Sequence, residues 1–125
     1  MKVIEGQWFA DCPNLKQVTL PNSLKRIGSE VFNDSSLESI TIPKNVEILG
    51  KKGTDSSMFY MCKSLKQLVV KSKKIKKVYS EVFVDFPKKA TIYVPNSKKK
   101  EYTKMFRKAK LPKKVKIKAI KDMKK

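Results

Sequence analysis

The stretch Leu15-Lys-Gln-Val18-Thr-Leu20-Pro21 decides the fold, because the chain repeats it. It returns as Leu37-Glu-Ser-Ile40-Thr-Ile42-Pro43, as Leu65-Lys-Gln-Leu68-Val-Val70 and, more loosely, as Ala90-Thr-Ile92-Tyr-Val94-Pro95. Its central apolar residue recurs at intervals of 22, 28 and 24 residues, at Val18, Ile40, Leu68 and Ile92. A phenylalanine recurs nearly in step with it, at Phe9, Phe32, Phe59 and Phe83. Self-similarity of this kind is typical of a solenoid, in which each unit buries its apolar face against its neighbours.

Each repeat unit has three parts. The alternation of apolar and polar residues predicts a short strand with one buried face. Proline then ends the strand, because it has no N–H to donate to a neighbouring strand. A second apolar segment follows, as in Leu24-Lys-Arg-Ile27-Gly28, and a turn containing phenylalanine leads to the next strand. The third unit is longer because turn-forming residues near 50–57 predict a looped-out insertion.

The units resemble the BspA-type leucine-rich repeat, whose unit runs Leu-x-x-Ile-x-Ile-Pro-x-x-Val-x-x-Ile-Gly-x-x-Ala-Phe-x-x-Cys-x-x-Leu. One unit matches at Leu37, Ile40, Ile42, Pro43, Val46, Leu49 and Gly50. The remaining positions are filled twice, by Phe9, Cys12 and Leu15 and by Phe59, Cys62 and Leu65. The third unit departs from the pattern at Lys71 and Tyr79. The resemblance implies an α/β leucine-rich-repeat solenoid, a short curved parallel sheet of about four units over residues 1–95.

Residues 96–125 are expected to form a C-terminal cap helix and a basic tail. Ser97 is a candidate N-cap, and an apolar stripe at helical spacing follows it, at Tyr102, Met105, Phe106 and Ala109. The stripe favours a helix that closes the end of the solenoid over one that lies on an anionic membrane. The alternation from Val115 to Ile120 is compatible with a last strand or with a frayed end.

The formal charge of +19 is confined to the second half of the chain. Residues 1–62 hold seven basic and seven acidic side chains, so the whole excess lies after residue 62. A field this one-sided attracts polyanions and weakens with salt. The first candidate polyanion site is the lysine cluster around Ile75, formed by Lys71, Lys73, Lys74, Lys76 and Lys77. The alternative is a solvated surface, since specific anion recognition favours arginine and these residues are lysines.

The outward positions of the predicted strands form a second candidate site. In a leucine-rich repeat these side chains line up in two ladders on the concave side of the sheet. One ladder consists of Gln17, Ser39, Gln67 and Thr91, and the other of Thr19, Thr41, Val69 and Tyr93. Small uncharged residues can also be strand formers that face water. If a partner binds here, Tyr93 is the expected anchor, because aromatic side chains dominate interface energetics.

The sequence gives no indication of catalysis or of a bound cofactor. It contains no histidine, which is the commonest general base and metal ligand. Cys12 and Cys62 are too few for a zinc site, and their equivalent places two units apart predict thiols and not a disulfide. No apolar run is long enough for a transmembrane helix.

The resemblance implies a non-catalytic protein-interaction module at a microbial cell surface or in secreted form, acting in adhesion or host-protein binding. Polyanion binding through the lysine-rich half is the alternative, with glycan, anionic polymer or nucleic acid as the ligand. The first residues do not resemble a signal peptide. The repeat opens mid-unit at Ile4, which predicts either further units before it, the favoured interpretation, or an improvised cap over residues 1–14 with Trp8 and Phe9. The sequence leaves the oligomeric state open.

Overall fold

The computed structural model describes residues 2–6, 8–9, 12–52 and 57–123, in which the chain alternates between two parallel sheets. Sheet A is built from two-residue strands: β1 (Val3–Ile4), β2 (Arg26–Ile27), β4 (Ile48–Leu49) and β6 (Lys77–Val78). Sheet B is built from four-residue strands: β3 (Ser39–Ile42), β5 (Gln67–Val70), β7 (Thr91–Val94) and β8 (Lys116–Ala119). From β3 to β6 the chain alternates between the two sheets, so successive units stack strand on strand in both of them.

The repeated phrase forms sheet B, and its central apolar residues pair in register. Ile40 pairs with Leu68, and Leu68 with Ile92, while a single bridge between Gln17 and Ser39 extends the sheet toward the first unit. Ile117 of β8 continues the row. The central residues of β3, β5 and β7 are buried, so the alternation in the sequence reports which face of the sheet meets the core.

The recurring phenylalanines form a continuous stack through the core. Neighbouring ring centroids from Phe9 through Phe32 and Phe59 to Phe83 lie 5.8, 5.8 and 5.4 Å apart, with interplanar angles of 5°, 15° and 17°. Phe106 of the C-terminal helix adds a fifth ring, 4.6 Å from Phe83. Offset aromatic stacking adds to the gain from burial, so the stack ties each unit to the next.

The third unit replaces the strand-ending proline with Lys71 and compensates with a buried serine. The Ser72 hydroxyl donates to the carbonyl oxygen of Val46 in the previous unit and accepts a hydrogen bond from the Lys74 backbone N–H at 3.0 Å. Ser72 is fully buried. Its hydroxyl thus satisfies backbone groups that the irregular turn would otherwise leave unpaired inside the protein.

The C-terminal segment packs on the last repeat unit and continues sheet B. A 3₁₀ turn over Asn96–Lys98 leads into α1 (Lys99–Lys108), and a second 3₁₀ turn over Ile120–Asp122 follows β8. The apolar stripe of α1 packs inward, since Tyr102, Phe106 and Ala109 are buried and Met105 is half-buried. The predicted N-cap at Ser97 is wrong, because Ser97 lies inside the 3₁₀ turn and no side chain caps α1.

The predicted insertion near 50–57 is described only at its two ends, since residues 53–56 lie outside the described residues. The Gly50 backbone N–H donates to the Ile27 carbonyl oxygen at 2.7 Å, which binds one end to the preceding unit. The Met58 N–H donates to the Val82 carbonyl oxygen at 3.1 Å, which binds the other end to the following unit. Both ends of this segment are therefore held by the stack.

Candidate functional site

Six of the eight predicted outward positions pair side by side in sheet B, whereas Gln17 reaches Ser39 through a single bridge and Thr19 lies outside the strands. Ser39 pairs with Gln67 and Gln67 with Thr91 along the first ladder. Thr41 pairs with Val69 and Val69 with Tyr93 along the second. We call this surface the strand face and define it by the eight predicted positions, which are Gln17, Thr19, Ser39, Thr41, Gln67, Val69, Thr91 and Tyr93.

The strand face is polar, pre-organised and only partly open. The Gln67 side-chain amide donates to the Ser39 hydroxyl at 3.1 Å, which orders two neighbouring rungs. Gln17 and Thr19 are exposed, whereas Thr41, Thr91 and Tyr93 are half-buried. Val69 is only 5% exposed, because it lies in the sheet between Thr41 and the larger Tyr93. Val69 thus offers a partner little surface, and Tyr93 is the main apolar contact on this face.

Strand β8 extends both ladders with lysines that the sequence analysis did not assign to this surface. Lys116 pairs with Thr91, and Lys118 pairs with Tyr93. Both lysines are exposed, while Ala119 is buried. The signal was present in the alternation of Lys116, Ile117, Lys118 and Ala119, but four residues could equally belong to a frayed end. The tyrosine of the strand face therefore has a positive charge beside it.

The five lysines around Ile75 do not form one cluster. Lys71 and Lys73 line a depression of about 580 Å³ at the edge where the strands of sheet B end, together with Pro95, Ser97 and Ile120. Pro95 and Ser97 of the following turn give this depression neutral walls on its other side. Lys71 and Lys73 are exposed, so this is the first of two places where the lysines meet solvent.

The other three lysines, Lys74, Lys76 and Lys77, lie outside this depression. Lys76 and Lys77 line a groove of about 340 Å³ between β6 and α1, where Lys108 is a third cation and Met105 contributes apolar surface. The Lys76 ammonium already lies 3.1 Å from the Glu47 carboxylate. Lys74 turns toward the preceding unit and donates to the Asn45 side-chain oxygen at 2.8 Å. The sequence cluster is thus divided between two sides of the solenoid.

Carboxylates of the second unit neutralise lysines of both neighbouring units. Glu38 lies 3.3 Å from Lys16 and 3.7 Å from Lys66. Glu47 stands in the same relation to Lys25 and Lys76, at 3.6 and 3.1 Å. The hydrogen bond from Lys16 and the charge of Lys66 lower the pKa of Glu38, and the hydrogen bond and charge of Lys76 lower the pKa of Glu47. Each glutamate thus links lysines of the two units on either side of it.

The two cysteines are thiols and sit in different surroundings. Cys62 is buried, and its Sγ donates to the Phe32 carbonyl oxygen at 2.8 Å. Burial raises the pKa of the Cys62 thiol to about 11, which suits a structural and unreactive thiol. Cys12 is half-buried.

Neither a metal centre nor a membrane span is found in the described part of the chain. No group of three or more cysteine, aspartate and glutamate side chains comes together there as metal ligands. Among the same residues, no helix is long and apolar enough to cross a membrane.

Comparison with known proteins agrees with this geometry. The model of the BspA type leucine rich repeat region matches residues 1–112 with six copies of the repeat. Comparison with curated proteins gave no match, and neither did comparison with solved structures. Leucine-rich repeats generally serve as non-catalytic protein-interaction modules. The repeated phrase, the paired parallel sheets and the family match lead to one conclusion: the chain belongs to the BspA-type leucine-rich repeat family.

Proposed function

We propose that this chain is a protein-binding module that uses its strand face and acts at a microbial cell surface, or in secreted form, in adhesion or host-protein binding. One observation carries the proposal. The half-buried Tyr93 stands at the end of a ladder of small uncharged side chains and has the exposed Lys118 beside it in the sheet. The surface location rests on the family, whose members are typically on the surface or secreted.

The strand face has the composition of a binding surface with one dominant contact. Aromatic side chains supply most of the energy of protein interfaces, and surrounding small residues exclude water from them. Tyr93 has Val69 on one side in the sheet and Lys118 on the other. The hydrogen bond between Gln67 and Ser39 reduces the side-chain entropy that a partner would otherwise have to overcome.

Binding to a panel of purified host extracellular proteins, measured by biolayer interferometry, tests this function. Tyr93→Ala should weaken a genuine interaction by roughly tenfold or more, as expected for a hot-spot aromatic. Tyr79→Ala is the matched control, because Tyr79 is also half-buried but directly follows β6 of sheet A and lies outside the strand face. Equal affinities of the two variants, or no binding by the unmodified chain, would count against this role of the strand face.

Polyanion binding is the second candidate function, and the distribution of unpaired charge supports it. Lys71, Lys73 and Lys77 have no ion pair within the described residues. Lys116 and Lys118 add to the same half of the molecule. The positive charges of these lysines would attract glycans, anionic polymers and nucleic acids alike.

Retention on immobilised heparin across a series of NaCl concentrations tests the second candidate. Neutralising Lys71, Lys73, Lys76 and Lys77 by substitution with Gln should lower the salt concentration of elution. The control replaces Lys99, Lys100, Lys113 and Lys114, which are also exposed, with the same loss of charge. If both variants elute alike, net charge alone is responsible and no lysine site exists around Ile75.

A further inference from the structure

A groove outside the strand face opens along the edge of sheet B at which the strands begin. Its volume is about 710 Å³, within the range of ligand-binding clefts. Lys66 directly precedes β5, Lys88 and Lys89 precede β7, and Pro112 precedes β8. We call it the edge groove. Neither the ladders of the strand face nor the lysines around Ile75 contribute to it.

The floor of the edge groove is apolar and rigid. The half-buried Pro87 and Pro112 supply its accessible apolar surface, whereas Leu65 and Phe86 also line it but are almost completely buried. The Phe86 ring packs edge-on against Phe59, with 5.0 Å between ring centroids. The floor is therefore the outer side of the phenylalanine stack, and a ligand would meet a preformed surface.

The rim of the edge groove is cationic. Among the described residues, Lys63, Lys66, Lys88 and Lys89 line it together with two carboxylates, those of Glu38 and Asp85. Lys66 is partly neutralised by Glu38 at 3.7 Å, and Glu38 is shared with Lys16. Lys63, Lys88 and Lys89 are exposed and have no ion pair among the residues that the structure describes. Their charges remain available to a ligand.

A second depression extends the edge groove in the direction of the preceding turn. It measures about 350 Å³ and shares Lys63, Asp85 and Pro87 with the main groove. Its far end is formed by Tyr60, which is 50% exposed, and Met61, which is 40% exposed. The two residues thus place exposed apolar side chains next to each other at this end. The result is an elongated strip in which apolar surface alternates with lysines.

We infer that the edge groove and its extension bind an extended acidic peptide segment that carries large apolar side chains. The uncompensated lysines provide charge complementarity for aspartates and glutamates. The prolines of the floor and the pair Tyr60 and Met61 provide apolar contacts at two points along the strip. A sulfated glycan or a nucleic-acid backbone would use the lysines but not the floor, and the buried ring of Phe86 is not open for base stacking.

Fluorescence anisotropy with a labelled synthetic peptide tests this site in the full chain. The probe consists of glutamates around one phenylalanine and one leucine, and its control has serine in place of both apolar residues. The double variant Lys88→Gln and Lys89→Gln should weaken probe binding on the order of tenfold. The matched control is Lys99→Gln and Lys100→Gln on α1, another exposed adjacent pair with the same loss of charge. It should change affinity by less than about twofold.

Two further variants separate this site from its alternatives. Tyr60→Ser should weaken binding of the apolar probe but not of the serine peptide. Tyr93→Ala should leave probe binding unchanged, so a failure of the strand face and a failure of the edge groove give different results. Equal weakening by the two lysine pairs, or equal affinity for the two peptides, would overturn the proposal. The proposal would also be overturned if binding of a heparin fragment depended on Lys88 and Lys89 while binding of the peptide did not.

Discussion

At the scale of single residues, the glycines show what close stacking of units demands. Gly50 has a φ of +97°, and a Cβ there would lie 2.7 Å from Val82 Cγ2 and 3.1 Å from Tyr79 Cβ. Gly6 also has a positive φ, of +86°, but a Cβ on it would meet no atom within 4 Å. Both glycines have a left-handed backbone conformation. They differ because the next unit fills the space that a Cβ would occupy at Gly50 but not at Gly6.

Gly50→Ala should therefore destabilise the protein more than Gly6→Ala. The left-handed backbone alone costs a non-glycine residue about 1–2 kcal/mol, and the clash adds roughly 1–3 kcal/mol of overpacking at Gly50. Urea unfolding followed by circular dichroism measures both free energies of unfolding. Similar losses at the two positions would mean that the neighbouring unit relaxes away from the new methyl group.

Burial of the Cys62 thiol predicts a change of stability at alkaline pH. Its pKa in the folded protein is about 11, against an ordinary value of 9.0. Because folding raises this pKa, the thiol contributes its full stabilisation below about pH 9 and loses it as the pH rises toward 11. The advantage of the unmodified protein over Cys62→Ala in free energy of unfolding should shrink across this range. Cys12→Ala is the control for loss of a thiol, and parallel pH profiles for the unmodified protein and Cys62→Ala would refute the prediction.

At the scale of elements, one side chain fastens α1 to the solenoid. The buried Tyr102 hydroxyl donates to the Ser72 carbonyl oxygen at 2.9 Å and accepts from the Ile75 backbone N–H at 3.1 Å. Burial raises the pKa of Tyr102, so the hydroxyl keeps the proton that it donates. The same irregular segment that lacks the strand-ending proline is thereby held by the cap.

Tyr102→Phe should destabilise the protein by about 1–3 kcal/mol, since it leaves a buried N–H and C=O without partners. The matched control is Tyr79→Phe, because the Tyr79 hydroxyl makes no hydrogen bond within the described residues. Chemical denaturation of both variants gives the comparison. The idea that Tyr102 fastens the cap fails if the two substitutions cost the same.

The sequence was sufficient to predict the structure where a pattern is repeated, and it was insufficient where a pattern occurs only once. Alignment of the phrase predicted that Ser39, Gln67 and Thr91 stand side by side, because the period fixes the register of parallel strands. Strand β8 has no proline and no following phenylalanine turn, so its alternation alone could not establish a strand. The lysines of the edge groove were not recognised, since they become neighbours only through the stacking of separate units.

At the scale of the whole molecule, the charges are arranged in two zones. In the first half, Glu38 and Glu47 lie between lysines of the adjacent units and neutralise them. In the second half the excess of positive charge has few carboxylates to oppose it. Such self-repulsion opposes folding, and salt weakens it. The two glutamates therefore have more influence on the stability of the stack than isolated surface pairs would.

Replacing both glutamates, as Glu38→Gln and Glu47→Gln, should lower stability at neutral pH and make the acid limb of the stability profile flatter. The pKa of each carboxyl is lowered in the folded state, so its stabilisation is present above the ordinary value of 4.5 and is lost as the pH falls below it. The control replaces Asp85 and Asp122 with Asn, which changes net charge equally at exposed carboxylates that have no ion pair in the described part of the chain. Thermal unfolding between pH 3 and pH 7 compares the stability of the glutamate variant with that of the aspartate control. If the glutamate variant is less stable than the control only above about pH 4.5, specific pairing between units is responsible. A deficit that persists unchanged in acid, or that the control shares, would leave net charge as the cause.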